Sequence, residues 1–250
     1  MKCRNCLSIN LNKIVKIGYQ PISSIFYKKK KFKLKKYPLD LYKCVKCDLV
    51  QLSQNAPLEK MYGKNYGYKT SISKLMVDHL KKKFNDVEKN FSKKKISVLD
   101  IGSNDGTFLN FFPNKNFLVG IDPSAKKFKN LYKKNINLIN NFFSRNRIID
   151  YFKKKDLKFD LITSFAIFYD IQKPQIFCSE IFQLLNKNGI WVVEFSYLPL
   201  MLKNLTYDQI CHEHVTYYSL TVFKKIIERN NLKNIDIKLN EINGGSIEIK

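Results

Sequence analysis

The sequence predicts an α/β chain in which a small N-terminal cysteine module precedes a Rossmann-like, doubly wound parallel sheet. Three observations predict it. After Lys95, short apolar runs alternate with amphipathic helical patterns. The first of those runs ends in a glycine turn, "DIGSNDGTF". Before them, two C-x-x-C pairs stand in polar turns, "KCRNCL" and "KCVKCDL".

The elements follow in order. Cys3, Cys6, Cys44 and Cys47 offer four thiolates, and two residues between the members of each pair let both sulfurs face one ion. That is a complete tetrahedral shell for a structural Zn²⁺, which folds a module expected over residues 1–58. Residues 59–95 read as a connecting segment. Its loop "MYGKNYGYKTS" clusters Tyr62, Tyr66 and Tyr68, and its helix "SISKLMVDHLKKKF" places Ile72, Leu75, Met76 and Leu80 at helical spacing. From 96 to 250 the strands are "ISVLDIG", "NFLVGID", "INLIN", "FDLITS" and "GIWVVEF". A helix, "SLTVFKKIIERN", and a closing pair of strands, "NIDIKLNEI" and "GSIEIK", complete the domain. Cys178 lies in the helical pattern "IFCSEIFQLL" and reads as core.

With 250 residues, 44% of them hydrophobic and 14% aromatic, the chain can bury a sizeable core. Its net charge of +24 raises the question of a polyanionic partner. The lysines are spread along most of the chain, so solvated faces are favoured over a dedicated nucleic-acid surface, which stays open. The densest run, Tyr27 to Tyr37, reads as a basic hairpin or exposed loop. "MKCRNCLSIN" lacks the apolar core of a signal peptide, and no run approaches the roughly 18 apolar residues of a membrane span. The expectation is a cytoplasmic protein with no membrane association, where thiols stay reduced and available to metal.

Strand, glycine turn and a following strand that ends in an acid make a nucleoside site. Gly102 and Gly106 let the backbone turn tightly, and Asp122 can accept both ribose hydroxyls. Asn104 stands where a dinucleotide fingerprint needs a further glycine, which favours S-adenosylmethionine over NAD. Asp100, Gly102, Asn104, Asp105, Gly106 and Asp122 are the predicted cofactor-binding set; the competing reading is the same fold with no ligand.

"CHEHVTYYSL" supplies a second cluster, Cys211, His212, Glu213 and His214. The histidines are two apart, so a helix throws them to opposite sides, whereas an extended segment puts them on one face. Acid–base, metal-binding and purely structural readings remain open at this point.

Taken in order, the cysteine pairs, the tyrosine loop, "LDIGSNDGTF", "GIDPS", "LLNKNGIWVVEFSYLP", "YDQICHEHVTYYSL" and "NGGS" resemble the zinc-module sugar C-methyltransferases. These are class I enzymes that use S-adenosylmethionine on nucleotide-linked keto sugars. The resemblance spans nearly the whole chain. It implies acid–base roles for Glu213 and His214 with His212 beside them: His214 as the base that removes a proton next to a carbonyl, Glu213 as a carboxylate that orients the imidazole or holds a substrate hydroxyl. It also implies that Tyr66, Tyr68 or Tyr217 stabilises the enolate oxygen. Two positions depart from the family: Cys211 stands where Tyr is common, and Asp170, in "FAIFYDIQKP", where His is often found. They point to a different acceptor within related polysaccharide or secondary-metabolite chemistry. The expected partner is a small-molecule acceptor, a nucleotide sugar or related carbonyl compound. Family members usually continue beyond "GGS" into a further C-terminal domain, so the chain reads as a fragment or a short version. The rival readings are a zinc-ribbon RNA methyltransferase and a non-catalytic binding protein.

Overall fold

The structure, a computed structural model, describes residues 1–23, 25, 34–62, 66–91 and 95–250. Most of the basic run Tyr27 to Tyr37 therefore lies outside the described residues, as do residues 63–65 of the tyrosine loop. Along the chain the strands are β1 (Leu11–Pro21), β2 (Lys36–Cys44), β3 (Val50–Leu52), β4 (Ser97–Ile101), β5 (Phe117–Ile121), β6 (Ile136–Ile139), β7 (Phe159–Phe165), β8 (Leu185–Ser196), β9 (Thr216–Tyr217), β10 (Ile237–Asn240) and β11 (Ser246–Ile249). The α-helices are α1 (Leu58–Met61), α2 (Lys74–Glu88), α3 (Arg145–Phe152), α4 (Pro174–Leu184), α5 (Leu198–Lys203) and α6 (Leu220–Glu228). Two compact units divide them: residues 1–67, 166–182 and 193–250 form one, residues 68–165 and 183–192 the other.

In the second unit β4 pairs in parallel with β5 and with β7, and β5 with β6. The order β7-β4-β5-β6 reverses direction of growth at β4. Ligands of such sheets bind beyond the carboxyl ends of the strands at that switch point. The strands are buried on both faces, as parallel strands in α/β sheets are, and Val98, Leu99, Leu118, Val119, Leu161 and Ile162 are fully out of solvent. Helix α2 begins at Ser73, whose hydroxyl accepts from the Met76 N–H at 3.3 Å. That cap leaves Ile72 in a preceding 3₁₀ turn, and Ile72 and Leu75 are exposed. The buried stripe is instead Leu80, Phe84 and Val87, spaced four and three, which corrects the expected apolar face.

The helix expected to follow the glycine turn is reduced to a 3₁₀ turn, Leu109–Phe111. Gly106 at φ +79° keeps its own residue out of the right-handed helix, and Pro113 forbids helix continuation seven residues later. Little more than one turn fits between them.

The first unit is built on an antiparallel sheet ordered β1-β2-β3-β9. Its core joins Leu39, Leu41, Val50 and Leu52 to Met201, Val215 and Tyr217. The two-residue strand β9 pairs with β3, Val50 opposite Tyr217 and Gln51 opposite Thr216. The chain just after the His-Glu-His segment is thereby a strand of the cysteine-bearing sheet. The last part of β8 also belongs to this unit. It pairs antiparallel with β11, and β11 with β10, so "NIDIKLNEI" and "GSIEIK" form the expected closing pair. Helix α6 starts at the Ser219 cap and buries Val222, Phe223, Ile226 and Ile227. Cys178 is fully buried. Among the described residues no helix is long and apolar enough to cross a membrane.

Candidate active site

The two C-x-x-C pairs fold into matching knuckles. In one, the Leu7 N–H donates to the Cys3 carbonyl at 3.0 Å; in the other, the Asp48 N–H donates to the Cys44 carbonyl at 3.0 Å. Leu7 and Asp48, each four residues past the first cysteine, both turn through φ +61°. This brings all four Sγ atoms within 4.8 Å of one another, with Cys3 to Cys47 at 3.5 Å and Cys6 to Cys44 at 3.6 Å. Tetrahedral Zn–S bonds of roughly 2.3 Å put sulfurs about 3.8 Å apart, so the set fits Zn²⁺. Hydrogen bonding from Cys3 pulls the Cys47 thiol down to about 5, the behaviour of a group that will share negative charge with its neighbours. With four protein ligands the metal has no open position, and its role is structural.

In the second unit the predicted cofactor residues converge at the carboxyl ends of β4 and β5. Asp100, at the end of β4, is buried and accepts from Thr163 Oγ1 at 2.7 Å. Burial pushes its carboxyl up to about 7, with a further rise from the nearby Asp122 charge. Gly102 turns at φ +78° and donates its N–H to the Ile121 carbonyl. Asn104 takes the left-handed conformation, φ +46°, which asparagine tolerates. Its N–H donates to Asp122 Oδ2 at 3.0 Å, and its side-chain oxygen accepts from the N–H and hydroxyl of Thr70. The residue that breaks the dinucleotide pattern therefore ties the turn to the chain before α2.

Asp122 also receives the N–H and hydroxyl of Ser124, both at 2.6 Å on Oδ1. These donors fix the carboxylate at the end of β5. Burial raises the Asp122 carboxyl, and these donors counter the rise. Asp105 is 1% exposed and engaged inside the protein: Oδ2 accepts from the Ser71 N–H and Oδ1 from Thr107. It shapes the turn. Tyr132 was not singled out by the sequence, yet it closes the site. Its hydroxyl donates to the Asn104 carbonyl at 2.8 Å and lies 2.9 Å from Ser103 Oγ, while its ring leaves no room for a side chain at Gly106. Tyr68 belongs here by its backbone: its carbonyl accepts from Asn104 Nδ2 at 3.3 Å, and its ring is half exposed.

The first unit gathers the acid–base candidates. His212 is buried, and its Nε2 bonds the Tyr37 carbonyl at 3.2 Å, which anchors the segment. His214 differs. Its Nδ1 bonds the Gln209 carbonyl at 2.9 Å, so Nδ1 carries the proton and Nε2 keeps a lone pair. Its ring lies against Tyr169, centroids 3.9 Å apart. Burial lowers His214 to about 4, partly countered by Glu213, so it is neutral at ordinary pH. The Tyr217 hydroxyl donates to the same Gln209 carbonyl at 3.3 Å. Asp170 ends a 3₁₀ turn after β7, where the Tyr62 hydroxyl donates to its Oδ2 at 2.7 Å. Burial and the charge of Glu213 hold the Asp170 carboxyl well above the usual carboxylate range. Glu213 Oε2 accepts from Ser23 Oγ at 3.4 Å. Tyr66 bridges Ile25 and stands with its ring 5.2 Å from Tyr62. Burial pushes the Cys211 thiol up, so it is no ready nucleophile. Residues 211–213 form a bend, and among the described residues the cysteine quartet is the one group of three or more metal-ligating side chains.

A parallel sheet with this switch point, a glycine turn after its first strand and an acid after its second defines a Rossmann-like class I methyltransferase fold. Comparison with known proteins agrees. The family described as "Methyltransferase domain" matches residues 76–237, and one described as "Putative zinc binding domain" matches residues 3–62. The chain belongs to the methyltransferase-domain family, with S-adenosylmethionine as its cofactor and Zn²⁺ as its structural metal. It is similar to the C-methyltransferase NovU of Streptomyces niveus, 26% identical over 215 residues, which is 85% of this chain and 51% of that protein. The chain thus spans about half the length of this curated relative. Solved structures of similar fold include the PH0226 protein of Pyrococcus horikoshii OT3 (TM-score 0.53, 15% identity, 73% of this chain and 98% of the other). Another is the magnesium protoporphyrin IX methyltransferase ChlM of Synechocystis PCC 6803 with bound SAH (TM-score 0.52, 11% identity, 74% and 89%).

Proposed function

We propose that the chain methylates a carbon next to a carbonyl, on a nucleotide-linked keto sugar or a related carbonyl compound, with His214 as the base. The observation that carries this reading is the His214 Nδ1 bond to the Gln209 carbonyl, which leaves the Nε2 lone pair free in a group kept neutral by burial. S-adenosylmethionine supplies an electrophilic methyl carbon, and an acceptor carbon becomes nucleophilic only when it loses a proton. Glu213, next along the chain, favours the imidazolium that forms. Tyr66 stands beside Tyr62 in the same unit, where its hydroxyl is suited to an enolate oxygen. Tyr217 already donates to Gln209 and serves by holding that carbonyl in place. The C-methyltransferase relative supports carbon as the methylated atom, and the alternative of RNA methylation has only dispersed charge behind it.

Calorimetric titration with S-adenosylmethionine, run beside a methyl-transfer assay on a panel of nucleotide-linked keto sugars, tests the reading. Asp122→Ala is expected to lose donor binding. His214→Ala is expected to keep it while turnover falls by roughly 10²–10⁴, the usual worth of a general base. Unchanged turnover in His214→Ala rejects the assignment.

A further inference from the structure

We propose that the open edge of β10 is a docking surface for a second copy of this chain, the two strands pairing antiparallel about Ile237. The pairing needs neither methyl donor nor acceptor and is independent of the methyl-transfer reading above. In the sheet order β10 comes last, so among the described residues one of its edges carries no strand. Its bonds to β11 decide which groups that edge presents. The Lys250 N–H donates to the Asp236 carbonyl at 3.0 Å, and the Asp236 N–H donates to the Lys250 carbonyl at 3.5 Å, so these two residues face each other as a bonded pair. Bonded pairs alternate along antiparallel strands, which makes Lys238 opposite Glu248 the next one. The N–H and C=O groups of Ile237 and Leu239 then point away from β11, toward the open edge.

The side chains add an apolar face and a charged one. Ile237 and Leu239 share one face of β10 and are 38% and 57% exposed. One strand inward the same face is closed: their partners Ile249 and Ile247, and beside these Val193 and Phe195 of β8, are each 2% exposed or less. The apolar face therefore runs past the point where the first unit covers it. Asp236 and Lys238 stand on the opposite face. There Lys238 Nζ lies 3.8 Å and Lys250 Nζ 3.6 Å from Asp236 Oδ2, and Lys250 Nζ is 3.9 Å from Glu248 Oε1. The Asp236 and Lys238 side chains remain at the surface, 41% and 48% exposed.

That order of charges selects both the occupant and the register. With a two-fold axis at Ile237, this residue meets its own copy, and Asp236 of each chain faces Lys238 of the other, which gives two opposite-charge pairs. An axis one residue away, on Asp236 or on Lys238, sets like charges against each other. An axis between two residues sets an apolar face against a charged one. The ribbon is short. The Ile235 and Asp236 N–H groups share the Lys250 carbonyl, at 2.7 and 3.5 Å, a bulge that ends regular pairing at that end. A short ribbon gives a weak dimer that forms with rising concentration. The net charge of +24 on each copy opposes approach. At about 0.15 M salt, however, charges are screened beyond roughly 8 Å, whereas paired strands lie about 4.8 Å apart.

Sedimentation velocity of the intact, zinc-loaded protein, from micromolar to submillimolar concentration, is the test, and a reversible monomer–dimer equilibrium is expected. Ile237→Lys places two ammonium groups at the axis and is expected to weaken the dimer by at least about tenfold. Lys238→Glu, which sets two acids against each other, is expected to weaken it as well. Adding Asp236→Lys to Lys238→Glu returns opposite charges to each pair and is expected to restore the dimer, which damage to the fold would not do. Carbodiimide coupling of mixed ¹⁴N- and ¹⁵N-labelled protein reads the register, since Asp236 of one isotope should link to Lys238 of the other. Zinc content and circular dichroism confirm that each variant is folded. A monomer throughout the range overturns the proposal. So does a dimer indifferent to Ile237→Lys and Lys238→Glu, which forms elsewhere on the molecule. A double variant as weak as Lys238→Glu, or Asp236–Lys238 links within one isotope only, overturns the register.

Discussion

Asp100 shows how one buried carboxyl sets a pH response. It is 4% exposed with Thr163 as its hydrogen-bond donor, and burial pushes it up to about 7. In the unfolded chain an aspartate titrates near about 3.9, so between these values the native state holds a proton that the unfolded state has lost. The stability tied to that proton is fully present below the unfolded value and is lost as pH rises through about 7. Asp100→Asn keeps an acceptor for Thr163 and cannot ionise. The drop in melting temperature from pH 5 to pH 8 is therefore expected to be smaller in Asp100→Asn than in the parent, by a stability difference of at most on the order of 4 kcal/mol. Equal slopes in thermal melts across that range count against a buried, proton-retaining Asp100. His214 has the opposite sign: lowered to about 4, it withdraws stability as pH falls below the unfolded histidine value.

Among the elements, the glycine turn after β4 depends on a residue 26 positions beyond it. A Cβ at Gly106 lies 2.7 Å from Tyr132 Cδ1, and φ there is +79°. Gly106→Ala meets a steric and a conformational cost together, on the order of 3 kcal/mol. Tyr132→Phe removes the donor to the Asn104 carbonyl and costs about 1–3 kcal/mol, with less disturbance of shape. Both are expected to lower thermal stability and to weaken S-adenosylmethionine binding, Gly106→Ala the more severely; calorimetry reads both. Strands, glycine turn and acid were legible because each is local: period, φ-demanding residue and strand end lie within a few positions. Tyr132 was not, because nothing in "NLYKKN" marks its ring as the wall against a glycine. The helix after the turn failed for a local reason, since Gly106 and Pro113 bracket too short a segment. His212 could be seen in the sequence, but its partner, the Tyr37 carbonyl, lies 175 residues away and could not. A separation of 108 residues likewise hid the Tyr62–Asp170 bond, although both residues stood in segments already marked as chemical.

At the scale of the molecule, the cysteine module and the His-Glu-His segment are parts of one unit rather than neighbours in sequence. Cys44 and Cys47 stand at the turn between β2 and β3, Cys3 and Cys6 come just before β1, and β9, two residues past His214, is the next strand of the β1-β2-β3 sheet. Leu52 donates its N–H to the Val215 carbonyl at 3.0 Å, and Thr216 Oγ1 donates to the Tyr169 carbonyl at 3.0 Å, so β3, the His214 segment and the turn carrying Asp170 are linked in series. A structural zinc contributes on the order of 10 kcal/mol of folding free energy in small metal modules, more than a three-residue strand can replace. Chelation, or Cys44→Ser, is therefore expected to loosen β3 and β9 and to abolish methyl transfer without any zinc ligand touching an acceptor. The glycine turn and Asp122 belong to the other unit, whose core of Leu80, Phe84, Val98, Phe108 and Leu118 contains no zinc ligand. S-adenosylmethionine binding is expected to survive at the same stoichiometry. Hydrogen exchange after chelation gives the discriminating measurement: amides of residues 50–52 and 215–217 should lose protection while those of 98–101 and 118–121 keep it. Simultaneous loss of protection in both sets would show that zinc stabilises the whole chain as one cooperative unit.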